Sequence, residues 1–360
     1  MRVAVLLALA TSACTWDATP PEPSPAERGR DLVVTDDDTL ASLSKNASGD
    51  PLSFRRAIER VAPGGALPWM RAWAQRLRDE GAPARADLLD GVTCAWLRSA
   101  PDSGCTDDCT TCAATDLPLD RAPFRLVAVV NRTDLADMPD RAADGGEGRL
   151  VFGLTDGPAD NGAPARAMTV AFEYAQPGAA RDWAERWHDL AALDAADFPA
   201  ALVKLASWVD AGTLAQLRTA DAVTGPLVLH EFHRASGALV PAAVRNTPDW
   251  TRVSEADLRA FCDADGDAIA AGTHVLPAAW LARSASLDDA PPAYVAGLPD
   301  HDALLANTCG GCHAKTDDGF QLDPRARGDA KLSRFLVDPS GAPDEVGRRA
   351  AWAAQTLSGK

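Results

Sequence analysis

The sequence predicts an α+β body with a mixed or antiparallel sheet, followed by a small all-α C-terminal module. Three observations predict it. Short runs rich in β-branched and aromatic residues interrupt helical stretches, without the regular strand–helix alternation of a parallel sheet. Apolar residues at helical spacing dominate before and after those runs. Near the C-terminus, a C-x-x-C-H stretch lies between two segments of helical spacing.

The elements follow in order. Phe54, Ala57, Ile58 and Val61 fall at helical spacing, with Ser53 placed as an N-cap. Met70, Trp73 and Leu77 make a second stripe. Phe124–Val130 (FRLVAVV), Gly148–Leu154 (GRLVFGL) and Met168–Tyr174 (MTVAFEY) are bounded by Gly, Pro and Asp and read as strands. Between the first two, Thr133 to Glu147 is an acidic, Gly-rich loop. Helices are expected at Trp183, Trp187 and Leu190, then at Phe198, Leu202, Leu205 and Val209. Pro226–Arg234 (PLVLHEFHR) is a further strand. Ser254 and Asp257 open a helix carrying Leu258, Phe261, Cys262 and Ile269. In the tail, Asp302–Thr308 and Asp344–Leu357 are expected helices, the second presenting Val346, Ala350, Ala353 and Leu357 on one face. The expected organisation is a signal peptide at 1–13, a Pro-rich tether at 14–34, the body at 35–295 and the C-terminal module at 296–360.

Composition narrows the function classes. The 360 residues are 46% apolar, which excludes a disordered or fibrous chain. The net charge of −16 argues against nucleic acid, since bulk phosphate neutralisation needs a basic surface. The acidity is unevenly placed. Residues 301–360 carry eight basic and eight acidic side chains, so the whole excess belongs to residues 1–300.

Arg2 followed by the apolar run Val3–Ala10 is too short for a stable membrane span and reads as an export signal. Small residues then lead to Cys14. This segment resembles a bacterial lipoprotein signal, although Thr11 stands where that family usually has Leu. The resemblance implies lipidation of Cys14 and attachment to a membrane surface. By the same resemblance, Thr15 after the cysteine favours the outer membrane. An ordinary secretory signal is the alternative. Residues 15–30 (TWDATPPEPSPAERGR) suit an extended tether.

Cys309-Gly-Gly-Cys312-His313 has the C-x-x-C-H spacing of covalent haem attachment. Two thiols three positions apart on one helical turn can both add to porphyrin vinyl groups, and the adjacent histidine can ligate the iron. The alternatives are a local disulfide or another metal. Residues 296–360 resemble the cytochrome c family, chiefly through this motif. The resemblance implies one covalent haem c, thioethers at Cys309 and Cys312, and His313 as axial ligand. It departs from the family in length, with 47 residues after His313, and in having no methionine downstream of the motif. His301, Lys315 and Lys331 are the candidate sixth ligands; otherwise the iron is five-coordinate. The chain is also similar to a group of myxobacterial lipoproteins with NTC-x-GCH tails. Their body segments match Asn131–Leu135 (NRTDL) and Gly146–Leu154 (GEGRLVFGL). In that group a histidine often follows the Phe after the motif, where this chain has Gln321 after Phe320.

The remaining cysteines divide. Cys262 shares an apolar stripe with Leu258 and Phe261 and reads as a buried thiol. Cys94, Cys105, Cys109 and Cys112 suit two disulfides, with the pairing open. The spacing of Cys105, Cys109 and Cys112 also matches a radical-SAM cluster, which an oxidising compartment disfavours, and with a distant ligand the three could hold zinc. His230 and His233 are one residue too close for a helical zinc motif and would point to opposite sides of a strand. Asp263, Asp265 and Asp267 begin like a calcium loop, but Gly266 is misplaced and His274 stands where a glutamate is needed. Glu147, Arg149 and Glu173 can converge across strands as an ion pair. The expected function is an exported lipoprotein that transfers single electrons to a redox partner in the cell envelope. The alternatives are a non-catalytic envelope binding or structural protein and an open-site haem enzyme such as a peroxidase.

Overall fold

The computed structural model describes residues 32–46, 49–62, 65–138, 145–154, 167–209, 213–222, 225–236, 238–313, 319–327, 331–337 and 345–359. The signal peptide, Cys14, nearly all of the tether and Lys315 lie outside the described residues. Among the described residues, no helix is long and apolar enough to cross a membrane.

A two-residue strand, β1 (Val33–Val34), leads into α1 (Asp37–Leu43), where the Asp36 carboxylate accepts the Thr39 amide at 2.8 Å. In α2 (Phe54–Val61) the Ser53 hydroxyl accepts the Arg56 amide at 3.1 Å, as the capping pattern requires. The long helices α3 (Ala66–Asp79) and α4 (Pro83–Arg98) follow. Then come β2 (Phe124–Arg132), β3 (Glu147–Leu154) and β4 (Met168–Ala175). Helices α5 (Ala180–Ala191) and α6 (Phe198–Leu205) separate these from β5 (Leu214–Asp221), β6 (Val228–Ala235) and β7 (Ala238–Ala242). The chain continues through α7 (Glu255–Ala270), β8 (Ala285–Ser286), α8 (His301–Ala306), α9 (Cys309–His313) and α10 (Glu345–Ser358).

Among the described residues the strands form one eight-stranded sheet in the order β1 to β7, with β8 also pairing β6. Every pairing is antiparallel. The body is therefore α+β, and the sheet is the antiparallel one of the two expected kinds. Period-two alternation divides its faces. Leu150, Phe152, Val170, Phe172, Leu217 and Phe232 point to the body helices and share a core with Phe54, Trp73, Leu89, Trp96 and Trp187. Phe54 stacks on Phe124 at 4.6 Å between centroids and meets Phe152 edge-on at 5.3 Å.

The tail departs from the expected all-α module. Its three helices form, but Leu322 and Leu332 pair as an antiparallel bridge. Leu322, Leu336, Val346 and Ala350 bury themselves against Val127, Val130 and Val151. The physical reason is the second face of the sheet. The body helices cover the other side, so these valines and alanines need the tail to exclude water. Residues from both ends of the chain meet there, since Leu32 and Val33 belong to the same apolar cluster. Lys331, fully buried, donates to the Thr35 carbonyl and to Asp37 Oδ1, each at 2.8 Å.

Candidate functional site

The short helix α9 follows α8 directly. The Thr308 hydroxyl donates to the Leu305 carbonyl at 2.8 Å and accepts the Gly311 amide at 3.0 Å, capping the turn. Gly311 is needed there because a Cβ would lie 1.9 Å from the Leu305 carbonyl oxygen. Helical geometry places Cys309 and Cys312 on one face, as expected. Both are free thiols. Cys309 packs beside Leu227, Leu229 and Phe320, and its Sγ is 3.5 Å from the Arg245 carbonyl. Gln321 Nε2 lies 3.1 Å from Cys312 Sγ, and burial pushes that thiol up to about 11.

His313 ends the helix. Its Nδ1 faces the Gly319 carbonyl oxygen, which accepts a hydrogen bond. Burial pushes the imidazole down to about 4, so the ring is neutral at pH 7. The surface it keeps faces a pocket between the tail and the sheet. This pocket encloses about 700 Å³ of empty space, part of it open to solvent. Val33, Val130, Val151, Leu229, Phe320, Leu322 and Leu336 supply apolar walls, and Gln321 lines it as well.

The rest of the lining combines Thr169, Ala171, Thr219 and Ala220 with charged side chains. Arg149 reaches Glu147 at 3.0 Å and Glu173 at 3.5 Å, the convergence expected from their strand positions. Arg218 continues the ladder to Glu173 at 3.1 Å and Glu231 at 3.2 Å. His233 bonds the far oxygen of Glu231 at 2.7 Å. Burial alone would raise the Glu231 carboxyl, but hydrogen bonding from His233 and the Arg218 charge hold it below its ordinary value. Arg132 and Arg349 close one side of the pocket. Sequence reading missed Arg132, Arg218 and Arg349 as site residues. They lie on β2, β5 and α10, and no local pattern in those segments marks them.

Of the residues considered as sixth ligands, Lys315 lies outside the described residues, and His301 and Lys331 do not line this pocket. His301 bonds the Leu298 carbonyl and Asp302, each at 3.2 Å. The Lys331 ammonium is held by Thr35 and Asp37.

The other clusters resolve differently. Cys94 bonds Cys109 and Cys105 bonds Cys112, so the three sulfurs that lie within 4.8 Å of one another are accounted for as disulfides. Cys262 is a buried free thiol against Leu258. His230 and His233 do face opposite sides, with His230 bonded to Glu80 at 2.6 Å. Asp263, Asp265 and Asp267 sit exposed on α7.

Comparison with known proteins adds no relative: no protein-family model matches the chain, and no curated protein or solved structure matches it.

Proposed function

We propose that the chain is an exported lipoprotein, anchored through Cys14, that carries one covalent haem c and passes single electrons to a partner in the cell envelope. The carrying observation is His313. It lies one residue beyond a free C-x-x-C pair, its Nδ1 is engaged by a backbone carbonyl, and its ring lines the pocket between the tail and the sheet. Haem, when bound, supplies a one-electron iron couple. Cys309 and Cys312 would hold its vinyl edge as thioethers. The apolar walls would keep water from its faces, and Gln321 would lie beside it. The residues present offer such a group a neutral imidazole on a pocket with part-aliphatic walls, and two free thiols on the same helix as that imidazole but outside the pocket's lining. An outer-membrane location follows from the Thr15 sorting reading.

The test is expression in a host with haem-maturation machinery. The expected result is Soret absorption that survives denaturation, with a mass gain of one haem that is lost in Cys309→Ser/Cys312→Ser. A haem-free product with Cys309 linked to Cys312 would overturn the reading in favour of an envelope binding or structural protein. Labelled palmitate should enter the wild type and not Cys14→Ala.

A further inference from the structure

A second pocket shares no lining residue with the one that His313 lines. It encloses about 640 Å³ of empty space, part of it open to solvent. Pro248, Trp250, Leu287, Pro291 and Leu305 give it apolar walls. Gly310 and Gly311 line it as well, and these are the two residues between Cys309 and Cys312. As glycines they present only backbone, so an occupant of this pocket touches the turn that joins the two cysteines.

Packing demands the glycine at 311 but not the one at 310. The φ of Gly310 lies outside the left-handed region. A Cβ there would meet one atom within 4 Å, the Ser286 carbonyl oxygen, in ordinary contact at 3.5 Å. Within a helix, glycine is less favourable than alanine by about 1 kcal/mol. The fold gains nothing from the missing side chain at 310, whereas the pocket gains close access to the backbone of α9.

The surface around the pocket is acidic. Residues 253–302 hold nine acidic side chains against two basic ones, and from 284 to 302 there is no lysine or arginine. Asp289 lines the pocket and is exposed, as is its neighbour Asp288. Exposed Asp263, Asp265, Asp267 and Asp300 extend the charge over α7 and the start of α8. Arg252, near Trp250 in the chain, is paired with Asp249 at 2.8 Å. Among the described residues no cation lines the pocket.

An apolar hollow set in an acidic surface suits a partner that presents an apolar tip within a basic surround. We infer that this face is the docking surface of the redox partner, a protein whose basic segment seats an apolar side chain in the pocket against Gly310. Its part in electron transfer rests on the haem reading; its affinity for such a segment does not.

The probes are the peptides Lys-Lys-Leu-Lys-Lys, Lys-Lys-Gly-Lys-Lys and Glu-Glu-Leu-Glu-Glu. Each is titrated into the full chain made without haem maturation and kept reduced. The readout is the NMR signal of the Trp250 indole, assigned through Trp250→Phe. The leucine–lysine peptide should shift this signal saturably and bind about tenfold tighter than the glycine peptide, the effect of burying one leucine. The glutamate peptide should not bind. Asp288→Asn/Asp289→Asn should weaken binding about threefold, and so should high salt. Gly310→Ala, which the fold has room for, should weaken the leucine peptide and leave the glycine peptide unchanged. Equal binding of the leucine and glycine peptides, binding of neither, or affinity that survives the aspartate substitutions or Gly310→Ala would overturn the docking surface. In the haem-loaded, reduced protein, the leucine–lysine peptide should also slow oxidation by tris(phenanthroline)cobalt(III), a cationic oxidant with an apolar surface. Peptide binding without that slowing would overturn the part in electron transfer and leave the docking surface standing. Peptide binding by a chain that never acquires haem would overturn the haem reading alone.

Discussion

His313 donates its Nδ1 proton to the carbonyl oxygen of Gly319, six residues further on. A carbonyl only accepts, so this bond selects the tautomer whose Nε2 carries a lone pair. The acceptor is placed by a backbone that needs glycine. Gly319 has φ +85°, and a Cβ there would lie 2.6 Å from Leu287 Cδ1 and 2.8 Å from Leu227 Cβ.

Gly319→Ala is therefore expected to disturb the ligand without touching it. In a Cys309→Ser/Cys312→Ser background, haemin binds without thioethers and its affinity reads the ligand set directly. Adding Gly319→Ala should weaken that affinity about tenfold or more, as loss of a metal ligand's outer partner does. Unchanged affinity would remove the orienting role of the carbonyl.

Gln321 lines the same pocket as His313 and contacts Cys312. Gln321→His should supply a second imidazole and convert the loaded protein to a six-coordinate, low-spin spectrum with slower carbon monoxide binding. A spectrum identical to the wild type would show that position 321 does not reach the iron.

Peptide mapping under non-reducing conditions should recover Cys94 with Cys109 and Cys105 with Cys112. The first bridge spans 15 residues and the second 7. Chain-entropy reasoning then gives losses of about 3 and about 2 kcal/mol for removing each pair to serine. Denaturant unfolding of the two double variants measures both.

The α10 attachment should fail in acid. Burial would raise the Glu345 carboxyl, but Arg348, Arg349 and Arg132 hold it at about 2, and Asp134 lies well below its ordinary range among the same arginines. A carboxylate depressed in the folded state contributes its stability fully above its unfolded value and loses it as pH falls toward the folded one. The contribution of Glu345 should therefore disappear between about pH 4.5 and pH 2 and amount to about 2–3 kcal/mol. Glu345→Gln should flatten stability across that window. An unchanged acid limb in this variant would place the transition elsewhere.

Legibility of the fold follows the range of the forces involved. Ser53 and the apolar stripe of α2 were readable because a cap and a helical repeat are local. The strands at Phe124, Gly148 and Met168 were readable from β-branched and aromatic runs. The central strand β5 was not. Leu-Ala-Gln-Leu-Arg-Thr-Ala-Asp has helical propensity, and it is a strand because Gln216 and Arg218 find Glu173 and Glu231 on its neighbours. The same contrast holds at the site. Cys309, Cys312 and His313 form a motif within five residues, whereas the pocket wall joins Arg132, Arg218 and Arg349 from distant elements. Pairing register brings these together, and no local pattern encodes register between distant segments.

The buried Lys331–Asp37 contact bridges positions 294 apart. Closing a loop of that length carries an entropy cost that only the contacts it makes offset. A chain made from its N-terminus presents Asp37 long before Lys331 exists. The helical core and the sheet can assemble during that interval, with one sheet face still bare. Closing the clasp brings the tail over that face and completes the pocket wall. Leu322 and Leu336 of the tail line the pocket, so its wall is complete only once that part of the chain has been made.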